Sequence, residues 1–251
     1  MDLAISEIDS NRFGLKIGRA FDLTEVEQVS EIEKFIKQQS LDCLIVRCSS
    51  TETKVIHALE KIGFHLMEGR IRFVYREVSS KLNFPIIPLS ENTRIRAGVE
   101  DDEIEPLVRR AYAGYKGHYH HNPALDKNEC DNVYVDWALN ALSNISSENY
   151  FSVVEKSSKL IAFASGNKGV NGSFIGGLLA VDPKERKQGL ASALHYHRLQ
   201  WCKEKDFDSV IVATSLNNWT YQNLLIKLGY SVLDTDLTFH WTYGADKEKD
   251  K

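Results

Sequence analysis

Along the 251-residue chain, apolar positions recur with two different periods, and the changes between them predict the order of elements. Short, β-branched, alternating runs read as strands at Phe13 to Ala20, Thr93 to Ala97, Tyr150 to Glu155, Lys159 to Ser165 and Ser173 to Val181. Helical spacing follows a Thr24/Glu27 capping box, with Val29, Ile32 and Ile36 on one face. It returns over Asp101 to Ala113, over Asp131 to Ala141 with Val133, Trp137 and Ala141 down one side, and from Gly189 to about Lys205.

Two stretches repeat the same pattern without a gap at an offset of 166. In "CLIVRCSSTETKVIHALEKIGFHLMEGRIRFVY" from Cys43 and "SVIVATSLNNWTYQNLLIKLGYSVLDTDLTFHW" from Ser209, seven residues of the first recur in the second. Ile45, Val46, Ser49, Leu59, Lys61, Gly63 and Phe73 return as Ile211, Val212, Ser215, Leu225, Lys227, Gly229 and Phe239. Each stretch predicts strand, turn, glycine-ended helix and strand. Between them "SSKLNFPIIPLSENT" shows neither period, which places a boundary near residue 90. The expected organisation is a small α/β domain over residues 1–90 and a second domain over 91–251. The second has the order β-α-α-β-β-β-α-β-α-β, a mixed α/β layer too irregular for a doubly wound sheet.

Composition narrows the class. At 43% hydrophobic the chain can bury one large core or two modest ones, and no apolar run approaches the roughly 18 residues that span a membrane. The acidic first residues lack the order of a signal peptide, and Cys43, Cys48, Cys130 and Cys202 show neither metal-ligand nor disulfide spacing, so free thiols and a cytoplasmic location are expected. A net charge of −4 disfavours general nucleic-acid binding. An anionic ligand must be held by a local feature.

One such feature is "VDPKERKQGLASALHYH", Val181 to His197. A strand that stops at Pro183 leads into a charged turn and a helix opened by Gly189. Backbone N–H groups at that helix start, together with Arg186 and Lys187, can cradle a pyrophosphate, and Gly189 lets the backbone approach it. The glycine patterns of Walker and dinucleotide-fold loops are absent.

The segment resembles the acetyl-CoA pyrophosphate loop of the GNAT superfamily of N-acetyltransferases, with Val181, Pro183, Arg186, Gly189, Leu190, Ala191 and Leu194 on the family pattern. "NWTYQNLLIKLGY" resembles the family's later helix-and-strand unit, with Asn218 in the place of a cofactor-contacting asparagine. "GHYHHNP" and "DNVYVDWALNAL" are similar to the branch that includes TDP-fucosamine acetyltransferase, sharing His120, Pro123, Tyr134, Trp137 and Asn140 and departing at Gly117, His118 and Asn122. The N-terminal half resembles that branch's accessory domain.

The resemblance implies a GNAT fold with a GNAT-like N-terminal accessory domain, acetyl-CoA as cofactor, and a nucleotide-linked amino sugar as acceptor. It implies no nucleic-acid or membrane partner and leaves room for a homodimer. It assigns the cofactor to Leu179, Ala180, Val181, Arg186, Lys187, Gln188, Gly189, Leu190, Ala191, Ser192 and Asn218, with no metal. The aromatic segment from Tyr112 to Pro123 and the following helix supply the expected acceptor residues Tyr115, Tyr119, His120 and Trp137, with His120 as base. The family's usual tyrosine acid is replaced by Leu225. That leaves three readings: unassisted departure of the thiolate, Tyr221 as acid, or a non-catalytic acyl-CoA sensor. A transferase acting on another small amine is the alternative within enzymes.

Overall fold

The computed structural model describes residues 1–81 and 83–244. Among these, ten strands form a single mixed sheet with helices on both faces. In chain order the elements are β1 (Asp2–Ile5), α1 (Glu7–Phe13), β2 (Ile17–Leu23), α2 (Glu27–Gln39), β3 (Cys43–Ser49), α3 (Thr53–Lys61) and β4 (His65–Arg76). After the linker come β5 (Thr93–Ala97), α4 (Glu105–Tyr112), α5 (His118–His121), α6 (Lys127–Ser143), β6 (Asn149–Lys156), β7 (Lys159–Lys168) and β8 (Ser173–Val181). A 3₁₀ turn at Pro183–Glu185 then leads to α7 (Leu190–Glu204), β9 (Ser209–Ser215), α8 (Trp219–Lys227) and β10 (Ser231–Thr242).

Several boundaries differ from the periodic reading, each because a side chain claims a backbone group. The first long strand begins at Ile17 rather than Phe13, since Ser6 caps α1 and Gly14, at φ 63°, ends it. The Thr24/Glu27 capping box does not form; Gln28 Oε1 instead accepts from the N–H groups of Thr24 and Glu25 at 2.9 and 3.2 Å. Helix α4 starts at Glu105 because Asp102 is taken by the guanidinium of Arg96, at 2.8 and 2.7 Å, and by Val99 N–H. Helix α6 starts at Lys127, four residues ahead of the reading, because Asp126 caps it through Asn128 and Glu129 N–H.

The sheet order is β1-β2-β3-β10-β4-β9-β8-β7-β6-β5. Its centre shows what the sequence repeat becomes in space. Strand β4, the last of the first repeat, pairs with β9 of the second, while β10 pairs with β3 of the first. The last strands are exchanged. They also pair with each other, with Arg70 opposite Asp236, positions separated by the repeat offset of 166. Arg70 faces Ser215 just as Asp236 faces Ser49, and Phe73 faces Val212 just as Phe239 faces Val46. The repeat is therefore a local two-fold through the Arg70–Asp236 pair.

On one face α2 and α3 cover Leu44, Val46 and Phe239, while α7 and α8 cover Phe73, Phe174, Val210 and Val212. On the other face α4 and α6 pack on Phe151, Val153 and Phe163, and Tyr119 and Val133 pack on Ile17, Cys43 and Ile45. Between these two coverings β9, β4 and β10 carry a polar row that includes Glu68, Arg70, Arg72, Asp234 and Asp236. All four cysteines are buried thiols, and no helix among the described residues is long and apolar enough to cross a membrane.

His118 and His240 are buried side by side, Nδ1 to Nε2 at 2.9 Å, with Asn122 closing on His240. Burial holds His118 well below the ordinary histidine range and His240 down at about 3, and His195 is likewise depressed. The unfolded chain then binds protons that the folded chain refuses. Stability should be complete above about pH 6.5 and fall below it, by up to about 1.4 kcal/mol per pH unit for each such histidine. Urea midpoints measured from pH 7.5 to 5.5 check this; a flat profile contradicts it.

Candidate active site

The site begins where two parallel strands separate. β8 pairs with β9 only from Ser173 to Gly176, opposite Ser209 to Val212. On its other side β8 stays bound to β7 as far as Val181, opposite Ala162. The β9-facing backbone of Leu178 to Val181 thus has no strand partner. A bulge between Ala164 and Gly166 accompanies the change, with Leu178 N–H donating to Ser165 Oγ at 3.0 Å. Gly176 is required at the fork: a Cβ there would lie 2.6 Å from Val212 and 2.7 Å from the Arg198 guanidinium.

The turn that follows is fixed at both ends. Asp182 accepts from Lys184 N–H at 3.1 Å and from Arg110 at 2.9 Å, which holds its carboxyl below the usual range against the effect of its own burial. Arg186 donates to the carbonyls of Ala111 and Val181, tying the loop to the end of α4. Lys187 and Gly189 both adopt left-handed φ, 65° and 78°, and Leu190 roots α7 in the core. Exposed Gln188 and Gly189 therefore lead into Leu190, Ala191 and Ser192, whose N–H groups begin the helix without intrahelical acceptors. Such a terminus favours an anion.

Three aromatic side chains line the way into the fork. Tyr112 Oη donates to Leu179 O at 3.4 Å, and Tyr112 stacks on Tyr134 at 4.7 Å with the rings 10° apart. Tyr115 stands edge-on to both. Tyr221 on α8 approaches from the opposite face of the sheet, with its hydroxyl 3.0 Å from His195 Nε2. Burial raises both Tyr112 and Tyr221 above the ordinary phenol range. Asn218 caps α8 through Tyr221 N–H and donates to Thr214 Oγ1 at 3.0 Å, which sets the start of that helix.

Glu68, which the sequence reading missed, faces the same place from β4. Its Oε2 accepts from His118 N–H at 3.2 Å, its neighbours include Tyr115, Arg70 and Ser215, and burial raises its carboxyl above the usual range. Nothing in a strand with the pattern "HLMEGRIRFVY" marks Glu68; the exchange of β4 into the second repeat's sheet brings it here.

The expected acceptor residues separate. Tyr115 faces Glu68, whereas Tyr119 is buried with its hydroxyl held between Asp9 and Arg19. The three histidines of "HYHH" point three ways. His118 turns to His240, His121 to Met67 O at 2.6 Å, and His120 to Asp131 at 3.0 Å, while His120 Nδ1 accepts from Gly117 N–H at 3.3 Å. Both nitrogens of His120 are thereby engaged, Nδ1 in capping the start of α5 and Nε2 in tying α5 to α6. Trp137 packs edge-on to Tyr134 with 39% of its surface exposed. Leu225 has no exposed surface, so a side chain at that position points into the core.

Residues 112–230 match the acetyltransferase (GNAT) family. A GCN5-related N-acetyltransferase from Sphaerobacter thermophilus superposes with a TM-score of 0.62 at 12% identity, covering 90% of this chain and 73% of that one. A GCN5-related N-acetyltransferase from Kribbella flavida gives 0.59 at 9% identity, covering 93% and 84%. A tandem GNAT protein from the clavulanic acid biosynthesis pathway gives 0.59 at 11% identity, covering 85% and 68%. No curated protein matches. The mixed sheet and its helices are those of GNAT acetyltransferase structures, and the family matched over residues 112–230 is one whose cofactor is acetyl-CoA.

Gly189 offers a direct check. Its φ of 78° disfavours any side chain, and a Cβ would lie 3.1 Å from Ile87. Gly189→Val should reduce acetyl-CoA affinity at least about tenfold by calorimetry, while the melting temperature shows the fold retained; wild-type affinity would displace the pyrophosphate from this loop.

Proposed function

We propose that this chain, an acetyl-CoA-dependent N-acetyltransferase of the GNAT type by family match and fold, acetylates the amino group of a nucleotide-linked 4-amino-4,6-dideoxy sugar for surface polysaccharide. The observation that carries the acceptor is the row of guanidinium groups continuing from the fork. Arg70 takes both oxygens of Asp236, at 2.9 and 2.8 Å. That leaves Arg47 a contact of 3.6 Å to the same carboxylate and a hydrogen bond to Thr238 at 3.2 Å. Desolvation, then repulsion from Arg70, brings Arg47 down to about 10. On β2, Phe21 lies opposite Arg47 with the guanidinium 5.5 Å from its ring centre, and Arg19, two residues along the strand, is ion-paired with Asp9 at 2.6 Å.

Spacing supports the order of the groups. Adjacent strands lie about 4.8 Å apart, which puts Arg70 about 10 Å and Arg47 about 19 Å from β8 along the sheet. An amine at the fork leaves the sugar ring over Glu68 and Arg70 and the diphosphate over Arg47. Charge-assisted hydrogen bonds to phosphate are what an under-neutralised guanidinium provides. The sequence similarity around Tyr119 to Asn140 points to the same acceptor class.

The chemistry follows from the two faces of the fork. Backbone groups of Leu179 to Val181 hold the thioester as an added strand. Glu68, directly or through water, removes a proton from the acceptor ammonium, so that the amine nitrogen bonds to the acetyl carbon. The carbon–sulfur bond breaks, and Tyr221 gives its proton to the departing thiolate. Trp137 and Tyr115 border the acceptor side, and His120 holds α5 in place beside it. The sensor reading rested on Leu225; Tyr221 supplies a hydroxyl where Leu225 does not.

Release of CoA thiol should be fast with one TDP- or UDP-linked amino sugar and slow with simple amines. Binding of acetyl-CoA without release across the panel would favour the sensor. Glu68→Gln should lower kcat by about 10²-fold or more with acetyl-CoA affinity unchanged. Because Glu68 must be ionised and sits above the usual carboxylate range, kcat/KM should fall with pH through a limb above about 4.5. Arg47→Ala should raise KM about tenfold or more for the nucleotide sugar, but not for the same amino sugar without its diphosphate. Equal effects on both acceptors would remove the diphosphate from this row.

A further inference from the structure

Arg198, on α7, is a fully buried side chain, and no carboxylate among the described residues pairs with it. Its Nη2 donates to His195 Nδ1 at 2.9 Å and its Nη1 to Ser165 O at 3.5 Å, while Nε has no partner. The hydroxyls of Tyr221 and Tyr230 complete its surroundings. A buried charge without a counter-ion is costly, and breaking its hydrogen bonds would be more so. The guanidinium lies directly under the fork, 2.7 Å from where a Cβ on Gly176 would stand.

Its donors fix the tautomer of His195. A guanidinium has no acceptor, so Nδ1 of His195 must accept, and burial with the nearby positive charge keeps the ring neutral. The ring proton therefore sits on Nε2 and is donated to Tyr221 Oη at 3.0 Å. The oxygen of Tyr221 is thus an acceptor in this contact. Its own hydroxyl proton is free to be given elsewhere, and Tyr221 is near Tyr112, whose hydroxyl bonds Leu179 O at the fork.

Resting on the assignment of Tyr221 as acid, we propose that Arg198 and His195 are a positioning pair that orients the Tyr221 hydroxyl toward the thiolate and stabilises the phenolate it leaves. As the carbon–sulfur bond breaks, its electron pair goes to sulfur. The Tyr221 proton moves to that sulfur, and the negative charge moves to Tyr221 Oη, held by the His195 N–H and next to Arg198. The counter-ion that Arg198 lacks at rest is formed during turnover. A proton from solvent, balancing the one taken from the acceptor amine, restores the phenol.

The test compares kcat and its pH profile in Tyr221→Phe, His195→Leu and His195→Gln, with acetyl-CoA affinity and melting temperature measured for each. Tyr221→Phe should lose about 10²-fold or more in kcat at unchanged cofactor affinity. His195→Leu, which can neither accept from Arg198 nor donate to Tyr221, should lose about tenfold or more and alter the alkaline part of the profile. His195→Gln offers an acceptor and a donor and should recover most of that loss. Wild-type kcat in Tyr221→Phe would remove Tyr221 as acid, and the pair with it. A slow Tyr221→Phe beside a His195→Leu with wild-type rate and profile would overturn the pair alone, as would a His195→Gln no faster than His195→Leu. Should His195→Leu fail to fold, Arg198→Lys replaces it: one ammonium cannot reproduce the forked contacts, so a slower kcat is expected, and a wild-type rate and profile overturn the pair.

Discussion

The bidentate contact between Arg70 and Asp236 sits on the local two-fold that joins the two repeats, and the site depends on the strand exchange it marks. Had β4 returned to β3, the first half would close on itself and Glu68 would lie far from the fork. Because Arg70 pairs with Ser215 at the end of β9, Glu68 falls just beyond that end, close to Ser215, Tyr115 and the His118 N–H. Removing the Asp236 carboxylate would do more than loosen a strand pair. It would leave Arg47 and Arg70 as neighbouring partly buried cations without their shared carboxylate.

The two halves share a plan, yet only the second opens a fork in its parallel strands. β2 and β3 stay paired from Ile17 to Leu23, so there is no fork comparable to that between β8 and β9. The turn after β2 runs directly into α2, whose entrance is bordered by Glu25, Glu27 and Glu52, and a hollow of about 430 Å³ there is lined by those carboxylates. Glutamates at a helix start compensate the dipole that a phosphate would otherwise use. The second half has Gly189 and a longer turn instead. In the first half the same architecture supplies strands and guanidinium groups rather than a cofactor pocket.

Much of this was legible in the chain. The helix opening at Gly189, the buried face of Val29, Ile32 and Ile36 and the repeat offset depend on local pattern, and the structure has them where that pattern implies, whereas α6 buries Cys130, Tyr134, Ala138 and Leu142 beside Val133 and leaves Trp137 39% exposed. What was not legible depends on contacts between distant segments. Two equivalent stretches reveal a repeat, but the same residues would fit two closed halves or two exchanged ones, so neither Glu68 nor the facing of Arg47 toward Asp236 could be read. The histidines of "HYHH" drew attention because histidine titrates near neutrality. Tertiary contacts then engaged His118 with His240 and His120 with Asp131. Thr24 and Glu27 likewise satisfy a capping pattern that Gln28 outcompetes.

Acetyl transfer needs a proton removed on the amine side and delivered on the sulfur side, and an unbroken sheet would keep groups on its opposite faces apart. Glu68 and the guanidinium row lie on the face of α4 and α6, whereas Tyr221, His195 and Arg198 lie under α7 and α8. Only where β8 and β9 separate can groups from both faces reach one atom. The cost of the fork is the ladder hydrogen bonds that Leu178 to Val181 forgo, and a bound thioester that adds as a strand would restore them. Under the proposed reaction, the cation behind the fork would serve the transient phenolate and thiolate, and the cations in front of it the diphosphate of the proposed acceptor. Arg198 is buried with no carboxylate partner among the described residues, whereas Arg47 and Arg70 share the Asp236 carboxylate and keep an exposed edge.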